Sequence, residues 1–191
     1  MGRPLTFDRE QAITQARNLF WAQGYEATAV PDLEKATGLK RSSLYHAFGS
    51  KKGLFDEVIE NYLAQSVRPL LAPLTAQNAT PDALRSYFAH LEASFNSATP
   101  HPGCLLIAAA NSPIGTDPSV GAAISGYYDE LLAAFRAGLG RARPHLSDSQ
   151  LDHQSRALVA LTVSALALAR TNRQLALANL HTAQELLATK N

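Results

Sequence analysis

The chain has 191 residues, enough for one large or two small domains, and a formal net charge of +1 that by itself selects no partner. It is rich in Ala and Leu and nearly free of β-branched runs, so an all-α fold is expected. Its longest charge-free apolar stretch, 158–169, falls well short of the roughly 20 residues that cross a bilayer. A single cysteine, Cys104, rules out an intrachain disulfide, and the N-terminus has no apolar leader; a soluble cytoplasmic protein with no membrane partner is expected.

In chain order, a short arm containing Arg3 precedes a first helix, which opens on a capping box of Asp8 and Gln11 and carries Ile13, Ala16 and Phe20 on one face. Gly24 closes it as a left-handed cap. Thr28 is placed as the cap of a second helix running to about Thr37, with Pro31 in its first turn and Gly38 at its end. A third short helix runs from Arg41 to about Phe48. Ser50 caps a fourth, with Leu54, Phe55, Val58, Ile59 and Leu63 at helical spacing, which Pro69 and Pro73 are expected to kink or end. A fifth starts at Thr80-Pro81-Asp82 and repeats Leu84, Phe88, Leu91 and Phe95. A short apolar helix spans about 103–111, and Asp117-Pro118 opens another carrying Ile124, Tyr128, Leu131, Phe135 and Leu139. Ser147 and Gln150 form a capping box before a helix that is apolar all round at 158–169, and a last helix covers about 172–188. Such a helix must be covered on more than one face. The final two helices are therefore read as a homodimer surface, with ordinary intrachain core as the alternative.

Charge is unevenly spread. Residues 1–55 hold eight Lys or Arg against five acids, and 40–52 contain no acid, as expected of an end that meets a polyanion. Two short helices joined at Gly38 make a helix-turn-helix, whose second helix can enter the major groove of duplex DNA. Val30, Leu33, Ala36, Leu44 and Phe48 supply its inner face, and Arg41, Ser42 and Ser43 open the helix that approaches base edges.

Thr28, Ala36, Gly38, Leu44, Tyr45, His46, Phe48, Lys51, Leu54 and Phe55, with the upstream GRP arm and Gly24-Tyr25, resemble the DNA-binding domain of the TetR family of bacterial regulators. The resemblance implies phosphate contacts from Thr28, Tyr45 and Lys51 and groove-facing positions at Lys40, Arg41, Ser42, Ser43 and His46. Arg41 suits a bidentate contact to guanine, and Arg3 suits the adjacent minor groove. Each has a plainer reading: Tyr45 as half core, Thr28 as a helix cap, His46 as surface filler, Lys52 as a solvated cation. Lys40 stands where the family often has a capping Ser or Thr, and Pro31 is unusual at its position.

The family architecture implied is about nine helices: a three-helix DNA-binding domain over 1–50, and an effector and dimerisation domain over 51–191 linked by the helix starting near 51. It implies a homodimeric repressor of double-stranded operator DNA, joined through its last two helices and released by a small-molecule inducer. Candidate pocket residues are Phe88, Phe95, Cys104, Tyr127, Tyr128 and Phe135. Cys104 opens a short helix near His101, and its Gly-Cys-Leu segment resembles members that sense electrophiles or oxidants, which gives a thiol-responsive alternative. No catalytic constellation, metal cluster or phosphate loop is found, so neither enzyme nor cofactor is expected. A helical protein-interaction module is the rival of a different class.

Overall fold

The computed structural model describes residues 7–98 and 101–188; they form helices and connecting turns with no strand among them. The helices are α1 (Arg9–Gln23), α2 (Val30–Thr37), α3 (Arg41–Phe48), α4 (Lys51–Tyr62), α5 (Arg68–Thr75), α6 (Ala83–Phe95), α7 (Leu105–Ala110), α8 (Pro118–Ala142), α9 (Asp148–Leu168) and α10 (Arg173–Ala188). A π turn, Leu63–Val67, joins α4 to α5, so these three pieces run as one rod and, among the described residues, the α-helices number nine when it is counted once. None of the described helices is long and apolar enough to cross a membrane.

Caps fix most of the boundaries. Asp8 accepts from the Gln11 N–H at 3.0 Å, Ser50 from Gly53 at 2.9 Å and Asp117 from Ser119 at 3.0 Å, and Ser147 and Gln150 close a full capping box. Two expectations give way and a third is met in part. Thr28 does not cap α2: the cap position is Ala29, whose N–H donates to Asp32 at 3.0 Å, while the Thr28 hydroxyl donates to the Gly24 carbonyl at 2.7 Å. Thr80, Pro81 and Asp82 form a turn ahead of α6, which begins at Ala83 without a side-chain cap. Pro69 does not end the rod. It lacks the N–H that would reach the Gln65 carbonyl, and its ring crowds that oxygen; the chain widens into the π turn just ahead and then continues.

Two groups of helices share one core. α1 packs on α2 and α4, and α3 on α4. Phe20 and Phe55, each 1% exposed, meet edge to face at 5.0 Å, with Tyr25 against Phe55 at 4.9 Å. Each buried Phe contributes roughly 1.5–3 kcal/mol through lost apolar surface alone. Behind this head, α8 packs on α5 and α9, and α10 covers α9 and α6. The all-round apolarity of α9 is largely explained inside the chain: Leu158, Val159, Ala165 and Leu166 face inward, and Ala176, Leu180, Ala183 and Leu187 of α10 are buried. What stays outside is narrower, chiefly Leu175, Leu186, Ala160, Ala167 and Ala178.

The head is tied to the rest through named bonds. Trp21 Nε1 donates to the Gly103 carbonyl at 3.3 Å, Arg170 to that of Ala22 at 2.8 Å, and the Ile114 N–H to Glu26 at 2.8 Å. Lys52, near the start of α4, pairs with Asp56 at 2.7 Å and with Asp117 at 3.1 Å. It is an inter-helix tie, in contrast to the solvated cation expected of it.

Candidate nucleic-acid interface

The turn between α2 and α3 is set by local chemistry. Gly38 takes φ 69° and ψ 5°, a left-handed conformation that favours glycine. The Thr37 hydroxyl donates to the Leu33 carbonyl at 2.7 Å and accepts from the Leu39 N–H at 3.2 Å. Lys40 occupies the cap position of α3 and offers no capping oxygen. The deficit is met from the preceding helix, where Glu34 accepts from the Arg41 N–H at 2.7 Å. Glu34 was not among the sequence candidates, and its only signal is its place on the outward face of α2. Glu34→Ala is expected to cost about 1 kcal/mol, as loss of a helix cap does, read as a lowered melting temperature.

α3 is two-faced. Leu44 and Phe48 are buried against α2 and α4, while Lys40, Arg41, Ser42 and His46 are exposed and Ser43 and Tyr45 half-buried. The Arg41 guanidinium lies 5.3 Å from the centre of the Tyr45 ring, which holds the cation on the outer surface without burying it. Lys51 sits 4.2 Å above the Tyr25 ring, and burial, opposed by Glu26, lowers its pKa. The exposed start of α3 and the start of α4 thus present Lys40, Arg41 and Lys51 as donors, with Ser42 and Ser43 beside them. Thr28 is 0% exposed with its hydroxyl already used, so it presents no donor to the surface. Arg3 lies outside the described residues.

A second feature lies behind the head. A cavity of about 130 Å³ is lined by Trp21 of α1, Tyr62 of α4, Ser66 of the π turn, Leu70 and Leu71 of α5, Tyr87 of α6, Tyr127 and Leu131 of α8 and Leu166 of α9, with His101 and Gly103 at one side. Of the sequence candidates only Tyr127 lines it. Phe88, Phe95 and Phe135 are packed in the core at 0–2% exposure, and Tyr128 points outward at 37%. Cys104, 2% exposed, sits just behind the wall, where the Tyr62 and Tyr127 hydroxyls reach its thiol. Burial first, and the neighbouring Cys104 second, hold the Tyr62, Tyr87 and Tyr127 hydroxyls above the usual tyrosine range, so all three stay protonated donors.

His101 does not face the thiol: its Nδ1 accepts from the Gly103 N–H at 3.0 Å and its ring lies 4.7 Å from that of Phe95. Burial lowers its pKa. A histidine depressed in the folded state adds stability above its unfolded value of about 6.5, lost as pH falls through that value toward the folded one. Melting temperature should therefore fall between pH 7.5 and 5.5, and the fall should shrink in His101→Gln.

Residues 12–58 match the family model described as bacterial regulatory proteins, tetR family. The HTH-type transcriptional repressor ComR of Escherichia coli K12 is 40% identical over 107 residues, 56% of this chain and 51% of that protein, so the alignment spans about half of that relative's length. The repressor BdcR of the same organism is 27% identical over 86% of this chain and 82% of its own. Among solved structures, a cysteine-substituted TetR family regulator CifR complexed with 26-bp double-strand operator DNA superposes with a TM-score of 0.81 at 28% identity, over 96% of this chain and 98% of that one.

Proposed function

The chain belongs to the TetR family of bacterial regulatory proteins, and from that premise we propose that it is a homodimeric repressor that holds operator DNA with α3 and lets go when a small molecule fills the cavity behind the head. It is a DNA-binding regulator and not an enzyme. The observation that carries the reading is the exposed start of α3, where Lys40, Arg41 and Ser42 stand clear of solvent-side cover while Leu44 and Phe48 anchor the same helix inside.

In the proposed complex Lys51, Tyr45 and the free N–H groups opening α4 hold phosphates and set the register. Arg41 reads guanine, with Ser42, Ser43 and His46 beside it, and Arg3 reaches the minor groove from the arm. A dimer doubles these contacts at half-sites about one DNA turn apart, roughly 34–36 Å. The outer face of α9 and α10, where Leu175 is 52% and Leu186 45% exposed, is the proposed dimer surface.

Release follows from the rod. Tyr62 and Ser66 line the cavity, and the same rod starts at Lys51 on the DNA side. A ligand that displaces the rod must bind the displaced state more tightly than the operator-bound one; a coupling of about 1–3 kcal/mol changes operator affinity about 5- to 150-fold. A second reading is favoured by one contact: the Tyr62 hydroxyl reaches the Cys104 thiol, so an adduct there presses directly on α4. In that case N-ethylmaleimide releases operator from the natural protein and not from Cys104→Ser.

Sedimentation equilibrium together with anisotropy of a labelled duplex from upstream of its own coding region tests the main reading. A mass of twice the 20.5 kDa chain is expected, and a Leu175→Glu, Leu186→Glu double variant should lose both dimer and operator affinity. A monomer that binds the duplex equally well would contradict it.

A further inference from the structure

The cavity of about 130 Å³ behind the head is small beside ligand pockets of roughly 300–1,000 Å³. On the outer side of the same wall lies a groove of about 500 Å³ between α5 and α6, with Pro69 and Pro73 on one bank and Ala83, Ser86 and His90 on the other. Two residues line both spaces, Leu70 and Tyr87. Leu70 is 38% exposed, a large apolar side chain standing at the boundary, and the Tyr87 ring is braced edge-on by Phe88 at 5.4 Å and Phe135 at 5.1 Å.

We propose that the groove and the inner chamber are two halves of one effector site, joined across a threshold of Leu70 and Tyr87 and fitted to a neutral, largely apolar molecule with a ring-sized head and a longer tail. This rests on the reading of the chain as effector-controlled. The volumes allow it: the groove alone lies in the common range for small-molecule sites, and the chamber is too small to hold more than one end of such a ligand. The charges support it as well. Among the described residues no Asp, Glu, Lys or Arg lines either space, so a charged head in the inner chamber would be stripped of water with no opposite charge to meet it. The inner head meets the side chains of Tyr62, Tyr87 and Tyr127, while Asn78, Thr80, Ser86 and His90 border the groove and leave its tail in contact with water. Leu70 is on the rod that begins at Lys51, so a molecule lying across the threshold touches the element that carries the DNA side.

Cys104, the sole cysteine, reports on the chamber: its neighbour Gly103 lines it, and Tyr62 and Tyr127 reach from its wall to the thiol. The experiment follows labelling of Cys104 by N-ethylmaleimide by intact mass, and binding of the neutral dye N-phenylnaphthylamine by fluorescence, in the free protein. Leu70→Ala should speed labelling about tenfold and Leu70→Trp slow it several-fold, with melting temperatures unchanged because the side chain is part-exposed. The dye should protect Cys104, and Leu70→Trp should weaken its binding about tenfold. Labelling that ignores residue 70 and tracks melting temperature, or that is quickened only by His101→Ala at the opposite side, overturns the proposal, as does dye binding that leaves labelling unchanged. Operator takes no part in these measurements. A dye that binds as expected but does not release operator would remove the effector-control reading and leave the two-part site standing.

Discussion

Gly53→Ala is expected to destabilise the protein by 3 kcal/mol or more and to abolish operator binding with it. A Cβ on Gly53 would lie 2.1 Å from the Phe48 carbonyl oxygen, at the point where α3 hands over to α4. The clash is with backbone, so no rotamer relieves it; either α3 moves or the Ser50 cap of α4 is pulled apart. Losses of this size come from a short set of causes, and forced backbone displacement in a packed junction is one of them. Denaturant melts of the variant and the natural protein give the comparison. A change below 1 kcal/mol would mean that the α3–α4 junction is looser than the close approach implies.

Arg41→Ala is expected to act on the other side of the ledger, weakening operator binding strongly while leaving the fold intact. A bidentate arginine–guanine pair discriminates by about 1–3 kcal/mol, and a dimer uses two, so affinity should fall at least about 30-fold. Stability should change by no more than about 1 kcal/mol, since the side chain is exposed and gives up only its contact with the Tyr45 ring. Arg41→Lys sharpens the test: it keeps the positive charge and loses the planar fork, so it should retain non-specific binding and lose sequence preference. Equal losses of operator affinity and melting temperature would make Arg41 a structural residue.

The head was legible because its determinants are local. Gly38, Ser50 and the spacing of Leu33, Leu44, Phe48, Leu54 and Phe55 each act within a few residues, and the folded chain places them accordingly. Thr28 failed as a cap because α2 starts one residue later, with Ala29 in the cap position, and the Thr28 hydroxyl is committed to the Gly24 carbonyl. The missing cap at Lys40 was visible, but its supply by Glu34 depends on how two helices meet across the turn. The cavity was not legible for the same reason on a larger scale. Phe88, Phe95 and Phe135 share helix faces that point to the densest packing, whereas Tyr62, Tyr87 and Trp21 come from three helices whose crossing no single periodicity encodes. The π turn carries no local signature beyond Pro69, which reads equally well as a stop.

Selection of bound duplexes from a random-sequence pool by the purified protein, with affinity for the winner then measured from about 50 to 200 mM salt, bears most directly on the α3 edge as a reader of DNA. The expected product is an inverted repeat with half-sites about one helical turn apart, bound with an affinity that drops steeply with salt and that Arg41→Ala fails to recover. An unenriched pool, or a winner lacking two-fold symmetry and held equally well by Arg41→Ala, would contradict it.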